Sequence, residues 1–434
     1  LKKGKVTMAA VLGIIADDFT GALMVAGYLE SAGIRTALVF DPSAVAQAKD
    51  ASVLILATRT RLKPVAEAMA EVLRAVEALE AAGCTRIAYK ACASFDSTET
   101  GNIGPAADLL SDRRGGAPVL MSAGYPAFNA TVHQGYLFYR GRLVSDSIKR
   151  HDPATPMSDP DLARFLSRQT RTPVALLPHS VLRKGVDAAR AAFVSLVAAG
   201  TRHVLADTSD DGDVTVSTAL AVAEDAVVVA SDPLILGYAK ALAQNLPAEP
   251  VAALRHAEGP AAVLAGSVGP VVLAQLATFA QRYPVLALDL LDPRSEADQI
   301  AAALAWASPR IGAEPFAIST STDPEGVARV QAVLGVAGAA LRAERLLAGV
   351  AHGLVARGVV RLVVAGGETS GAVVTALGIA RVRVSPDGPL GTGFCVTETA
   401  PKLSLYLKPG KLGADDVLLR AIEVMDPAHQ ETDA

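Results

Sequence analysis

The most chemically suggestive run in the 434-residue sequence is Gly366-Gly367-Glu368-Thr369-Ser370-Gly371, which follows a β-branched stretch and precedes a helix-forming one. In that setting backbone N–H groups converge on an anion, and the helix dipole favours negative charge. Two glycines let the backbone approach an oxyanion closely, and Thr369 and Ser370 add hydroxyl donors. The chemistry this suggests is phosphate binding. The same residues also suit a strand-to-helix turn in which Ser and Thr act only as caps. The run is neither a Walker A loop, since no Gly-Lys followed by Ser or Thr occurs there, nor a GxGxxG fingerprint. Gly266-Ser267-Val268-Gly269-Pro270 has the same context. Two such turns in one α/β sheet would place two helix N-termini at the carboxyl edge, where ligands of open sheets bind. A third segment, Lys408-Pro409-Gly410-Lys411-Leu412-Gly413, brings two lysines to flexible backbone, although a solvated turn would look alike.

In the first half of the chain, Asp17 and Asp18 end an apolar run, where an acidic pair has no packing purpose. One can cap the next helix; the pair can orient a substrate hydroxyl, accept its proton or hold a metal ion. Arg59 and Arg61 follow the next strand-like run and suit bidentate carboxylate binding, though loop arginines are common. Lys90, Asp96 and Ser97 add a cation, an acceptor and a hydroxyl at the same predicted edge, and convergent polar groups make a site. His133 lies in an irregular stretch from Gly124 to Pro160 and is a candidate substrate contact. His179, His203, His256 and His352 read as surface or structurally bonded residues, and Cys92 and Cys395 as small buried hydrophobes. No CxxC, HExxH or Cys/His cluster marks a metal site, and none is expected.

The elements that must position these groups follow from periodicity. Short β-branched or Leu-rich runs alternate with Ala-rich segments that stop at glycine, the pattern of a mostly parallel sheet covered by helices. The first unit reads as a strand from Val11 to Ala16, a turn in which Thr20 can cap, a helix from Gly21 to Ala32, and a strand from Thr36 to Phe40. Ser52 to Ala57 and Arg86 to Lys90 are further strands flanking a helix from Pro64 to Ala82, and a polar loop runs from Ala91 to Gly104. Strands at Val174 to Leu177, His203 to Asp207, Ala261 to Ala265 and Arg361 to Ala365 continue the pattern, with one long helix from Asp323 to Arg357. The length exceeds one ordinary domain, and Asn245 to Gly259 is the candidate linker. The expected fold class is α/β: two lobes, each a mostly parallel sheet flanked by helices, covering residues 8–250 and 251–427, with the active site in the cleft between them.

Composition agrees. Hydrophobic residues make up 51% of the chain and charged ones 19%, a balance that supports burial rather than disorder. A net charge of −4 supplies no global attraction for nucleic acid or an anionic membrane. The one uncharged stretch of membrane length, Gly259 to Gln281, is broken by Gly266, Gly269 and Pro270. No secretory signal is evident, so the expected location is the cytoplasm. Met8 is a candidate native start, with Leu1–Thr7 then an added segment or an alternative start.

Taken in order, Ala16-Asp17-Asp18-Phe19-Thr20-Gly21-Ala22, Phe95-Asp96-Ser97 with Gly101-Asn102-Ile103-Gly104, Gly266-Ser267, Ala365 to Ala372 and Leu407-Lys408-Pro409-Gly410 resemble the four-carbon acid sugar kinase family. The resemblance implies an N-terminal domain that binds the sugar acid and a C-terminal domain that binds ATP. It implies transfer of the γ-phosphoryl to the terminal hydroxyl of D-threonate, D-erythronate or a 3-oxo-tetronate. Carried over by position, it implies substrate contacts at Asp17 or Asp18, Arg59, Lys90, Asp96 and Ser97. Nucleotide contacts fall at Ser267, Gly366, Gly367, Glu368, Thr369 and Gly410. One of Asp17, Asp18 and Asp96 would orient or deprotonate the attacking hydroxyl, and ATP would arrive with Mg²⁺. The expected partners are these small molecules, with a homo-oligomer admitted. Glu368 stands where many members have Asp, Pro409-Gly410 where they have Ser-Gly, and Ser94 to Gly101 departs from their loop, which marks a divergent subgroup. A non-catalytic sugar-acid binding protein or sensor would share the two lobes, and an oxidoreductase with a divergent dinucleotide loop is a third reading.

Overall fold

A computed structural model describes residues 10–48, 50–152, 154–246, 254–386, 388 and 390–426. Leu1–Thr7, Met8 and the middle of the candidate linker lie outside them. The described residues fall into two compact units that divide between Pro250 and Val251.

In unit one the strands are β1 (Leu12–Ala16), β2 (Thr36–Val39), β3 (Val53–Ala57), β4 (Ile87–Lys90), β5 (Val119–Ser122), β6 (Ala130–His133), β7 (Tyr136–Tyr139), β8 (Arg142–Leu143), β9 (Val174–Leu177), β10 (His203–Ala206) and β11 (Val227–Ala230). Its helices are α1 (Phe19–Ser31), α2 (Val65–Ala81), α3 (Ile103–Arg113), α4 (Leu162–Ser167), α5 (His179–Leu182), α6 (Val186–Ala198), α7 (Asp211–Ala223) and α8 (Asp232–Ala243). Eight strands form a sheet in the order β2-β3-β1-β4-β11-β5-β10-β9, every neighbouring pair parallel. Strands covered on both faces need no polar alternation, and β1 and β3 are accordingly apolar and buried along their whole length.

Unit two contains β12 (Ala261–Ala265), β13 (Val285–Ala287), β14 (Phe316–Ser319), β15 (Arg361–Ala365), β16 (Arg381–Val384), β17 (Phe394–Thr397) and β18 (Ser404–Lys408). With them come α9 (Pro270–Ala280), α10 (Glu296–Ala307), α11 (Pro324–Val355), α12 (Gly367–Ala376) and α13 (Val417–Val424). The order is β13-β14-β12-β15-β18-β17-β16; the first five strands are parallel, and β17 runs antiparallel to both its neighbours. One core cluster packs α9 and α13 on this sheet through Val272, Leu276, Phe279, Leu418 and Ile422.

Both units begin with the same winding. The chain leaves the first strand, skips a place, fills the gap, and then returns to the other side of the first strand. The direction of winding therefore reverses between β1 and β4 and again between β12 and β15. In open α/β sheets the crevice that binds ligands opens at such reversals, at the carboxyl ends of the strands.

Three local expectations are corrected. Asp18, not Thr20, caps α1, its side chain accepting the Gly21 N–H. The stretch read as irregular from Gly124 to Pro160 contains a three-stranded antiparallel sheet, β6-β7-β8, joined by Gln134-Gly135 and Arg140-Gly141, all four at positive φ. Tight hairpins demand that conformation, and a Gly in second place is its signal. The helix read as continuous from Asp323 to Arg357 is broken at Gly335, whose φ of 71° and ψ of 164° no helix accommodates.

Candidate active site

Four adjacent strands of unit one, β3, β1, β4 and β11, end in polar residues. Asp17 and Asp18 follow β1, Thr58 to Arg61 follow β3, Lys90 closes β4, and Asp232 opens α8 after β11. Arg61 ties the first two groups together. Its Nε donates to Asp17 Oδ2 at 2.9 Å and its Nη2 to Asp17 Oδ1 at 2.8 Å, and Nη2 also lies 2.8 Å from Asp18 Oδ2. The other Asp18 oxygen accepts the Gly21 N–H at 2.6 Å. Burial works against the Asp18 carboxylate, but Arg61 and then Lys90 outweigh it and hold the pKa below its ordinary value.

Lys90 is buried and lies 3.5 Å from Asp232 Oδ1. Against the effect of burial, Asp232, Asp18 and Asp17 raise the Lys90 pKa, so the ammonium stays charged. Burial pushes the Asp232 carboxyl up, with Lys90 opposing. Gly21 is required beside this cation: a Cβ there would lie 2.2 Å from Lys90 Nζ.

The loop carrying Arg61 is braced from behind. Asn102 Nδ2 donates to the carbonyls of Thr60 and Lys63 at 2.6 and 2.9 Å. Thr58 Oγ1 donates to Ala16 O at 2.8 Å and continues through the Thr60 hydroxyl to Tyr89. Arg59 is half-buried at the same strand end, its main-chain N–H donating to Glu71. Arg61, weighed with Arg59 on sequence, is the one that engages the aspartate pair.

Asp96 turns inward on a loop that carries the buried Phe95 at a φ of 46°, an unusual conformation for a bulky residue. Ser94 Oγ donates to Asp96 Oδ1 at 2.7 Å, and the other oxygen forms an ion pair with Lys149, itself buried. Ser97 is buried and its Oγ accepts from Gln169 Nε2 at 3.0 Å. Cys92 links this loop to the aspartate pair. Its Sγ accepts the Asp96 N–H, and its thiol, raised to about 11 chiefly by burial, feels the charges of Asp96, Arg61, Lys149 and Asp17. Asp17, Asp18, Lys90, Asp96 and Ser97 thus occupy one end of the sheet, and the sequence reading missed Lys149 and Asp232 there.

His133 is exposed and 2.9 Å from Ser209 Oγ, with its ring 5.4 Å from that of His179. His203, wholly buried, has its Nδ1 3.0 Å from the Thr172 hydroxyl, as expected of a structurally bonded histidine. Among the described residues, His179, Asp210 and Asp213 place possible metal-ligand atoms within 4.8 Å of one another. Asp210 is the N-cap of α7 and Asp213 accepts the Ser209 N–H, so their geometry is that of a helix start.

In unit two the turns after β12, β15 and β18 close on one another. The Gly266 and Ser267 N–H groups donate to Ala365 O at 3.1 and 3.3 Å, and the Gly366 N–H donates to Lys408 O at 2.9 Å. Gly366, at φ 131°, precedes α12, and Thr369 and Ser370 lie buried in its first turns. A Cβ on Gly266 would sit 2.3 Å from Thr369 Oγ1, and one on Gly410 only 1.7 Å from Ser267 Oγ. Three chain segments therefore meet with no room for side chains. The first N–H groups of a helix have no partner within it, so this surface can bind an anion.

The class of protein follows from this pairing of domains. A family model described as a sugar-binding N-terminal domain matches residues 12–243, and one described as a nucleotide-binding C-terminal domain matches residues 262–418. The chain is 37% identical over 421 residues to a 3-oxo-tetronate kinase of Burkholderia multivorans, covering 96% of this chain and 98% of the relative. It is 37% identical over 424 residues to one of Methylobacterium radiotolerans, covering 96% and 100%. A crystal structure from Salmonella typhimurium LT2, described provisionally as a tRNA synthase, superposes with a TM-score of 0.79 at 30% identity, covering 94% of this chain and 98% of that one. A Haemophilus influenzae protein gives a TM-score of 0.70 at 27% identity, covering 95% and 100%. The chain belongs to the four-carbon acid sugar kinase family and is a phosphotransferase with an alcohol group as acceptor. No helix among the described residues is long and apolar enough to cross a membrane.

Proposed function

We propose that this enzyme transfers the γ-phosphoryl group of ATP to the terminal hydroxyl of a four-carbon sugar acid, with 3-oxo-tetronate the first candidate and D-threonate and D-erythronate its neighbours. Residues 8–250 take the sugar acid and residues 251–427 the nucleotide. The observation that carries the reading is the closure of Gly266, Gly366 and Gly410 on the Ser267 and Thr369 hydroxyls at the winding reversal of unit two. Ser267, Gly366, Gly367, Glu368, Thr369 and Gly410 form the nucleotide site in this reading. The names of the bacterial relatives support the choice of substrate.

Phosphoryl transfer depends on positioning and charge stabilisation more than on covalent chemistry. Lys90 and Arg59 supply cations for the substrate carboxylate and hydroxyls, and Asp96 and Ser97 supply further contacts. Asp18, held ionised by Arg61, is a hydrogen-bond acceptor that orients the attacking hydroxyl; Asp17 and Asp96 are the other candidates for that role. ATP arrives as its Mg²⁺ complex, the metal keeping most of its ligands from phosphate and water.

The test is ADP release from MgATP with a panel of four-carbon acids. Release with one or more tetronates, and none with glycerol, is the expected result. Tight binding of a sugar acid without ADP release would instead support a sensor. Absence of release with any hydroxy acid, together with tight NAD binding, would overturn the kinase reading in favour of an oxidoreductase.

A further inference from the structure

Among the buried lysines, two have carboxylate partners: Lys90 faces Asp232 and Lys149 pairs with Asp96. Lys408 is as deeply buried, at 2% exposure, but its Nζ donates to Pro409 O at 2.8 Å, and no ion pair forms to a carboxylate among the described residues. An ammonium taken out of water without an opposing charge is strongly disfavoured, and an apolar side chain would serve the strand better. Its place in the fold suggests what compensates it. Lys408 is the last residue of β18, in register with Ala365, and its carbonyl receives the Gly366 N–H. It stands between the Gly366 turn and Gly410, at the place where three strand ends close on an anion-binding surface.

We propose that Lys408 is the cation of the nucleotide site, its ammonium pairing with the polyphosphate that the Gly366 turn receives. This rests on the nucleotide reading of unit two. Titratable groups on the elements packed against β18 are Glu368 of α12, Arg361 of β15 and Cys395 of β17, with Tyr406 and Lys411 on its own strand and loop. None of them governs Lys408: burial alone depresses its pKa to about 8. Lys90 and Lys149, which have partners, are raised instead. A bound phosphate would act on Lys408 as those carboxylates act on their lysines, restoring the ammonium. Nucleotide binding above pH 8 must then draw a proton from solution.

The experiment is calorimetric titration of the full chain with MgADP at pH 8.5, in buffers of different ionisation enthalpy. A group whose pKa is depressed to about 8 is largely neutral at that pH, so wild type is expected to take up a substantial fraction of a proton per nucleotide. Lys408→Met and Lys408→Gln should lose the uptake and bind MgADP roughly 10- to 100-fold more weakly, the effect of one charge-assisted contact. Lys411→Gln should keep it. Binding by wild type without uptake, or uptake unchanged in Lys408→Met, would overturn the proposal and leave the kinase reading intact. Should neither Lys408 variant fold, the wild-type proton count alone decides. Failure of wild type both to bind MgADP and to release ADP with any tetronate would remove the kinase reading and this proposal together.

Discussion

Arg61 grips Asp17 through two parallel hydrogen bonds, Nε to Oδ2 at 2.9 Å and Nη2 to Oδ1 at 2.8 Å, from a position 44 residues away in the chain. The same Nη2 reaches Asp18, so one guanidinium pairs with two nearly buried carboxylates that follow β1. A planar fork can do this, whereas the ammonium of a lysine cannot. Arg61→Lys is therefore expected to behave as a loss. Arg61→Met leaves Asp17 and Asp18 with Lys90 as their remaining nearby cation and should lower unfolding free energy by about 3–5 kcal/mol, as measured by urea denaturation. Adding Asp17→Asn should restore part of that loss; a double variant no more stable than Arg61→Met would show that the pair is not coupled as described.

Asp18 joins two roles that substitution can separate. It caps α1 and, in the proposed reaction, accepts a hydrogen bond from the attacking hydroxyl. Asn caps a helix about as well as Asp, so the cost of Asp18→Asn should come from the lost charge opposite Arg61 and amount to about 1–3 kcal/mol. Turnover should fall on the order of 10²- to 10⁴-fold if the charge orients or activates the hydroxyl. Because the Asp18 pKa lies below its ordinary 3.8, the group is ionised at every pH above 4, and the deficit should be the same from pH 5 to 8. Unchanged turnover with intact substrate binding would remove Asp18 from the reaction.

Gly410 carries the sharpest steric constraint in unit two. A methyl group there would overlap Ser267 Oγ at 1.7 Å and lie 2.4 Å from Ser267 Cβ. Gly410→Ala must displace the turn after β12, and the expected result is a rise of more than about tenfold in the KM for ATP, since small displacements of positioning groups are expensive. Ser267→Gly in the same chain removes the atoms that clash. Because Ser267 itself belongs to the proposed nucleotide site, the readout of the pair is thermal stability: recovery of the melting temperature lowered by Gly410→Ala would show that the two turns act through contact, and no recovery would place the effect of Gly410→Ala elsewhere.

Much of this site was legible because parallel strands buried on both faces leave a simple trace. An apolar run that stops at charged residues marks a carboxyl edge, which is how Asp17, Asp18 and Lys90 stand out, and glycines after such runs mark Gly266 and Gly366. Asp232 carries the same signal, since Ser231-Asp232-Pro233 follows Val227 to Ala230 as Asp17-Asp18 follows β1. An acid before proline also suits an ordinary helix start, so the signal alone does not single it out. Lys149 had no such signal. It reaches Asp96 across 53 residues from a short helical turn after the β6–β8 hairpins, and long-range pairing of that kind is set by tertiary packing rather than local pattern. Which arginine reaches the aspartate pair likewise depends on the path of a bent loop, whose Thr60 and Lys63 carbonyls Asn102 holds.

His256 gives unit two a pH dependence of its own. The half-buried ring packs edge-on to Phe394 at 5.9 Å, its Nδ1 has no hydrogen-bond partner among the described residues, and burial, aided by the Arg361 charge, lowers its pKa to about 4. The unfolded chain binds a proton near pH 6.5 that the folded unit refuses until about pH 4. Stability contributed by the neutral ring is therefore complete above pH 6.5 and is lost as pH falls toward 4. For a ring only half removed from water the loss should be about 1–2 kcal/mol, less than the full shift would give. The single tryptophan, Trp306, lies on α10 within this unit and packs against Phe316, so its fluorescence follows the relevant transition. Urea unfolding at pH 7 and pH 4.5 should show wild type losing more stability than His256→Leu by that amount. An identical loss in both proteins would assign the acid sensitivity of unit two to other groups.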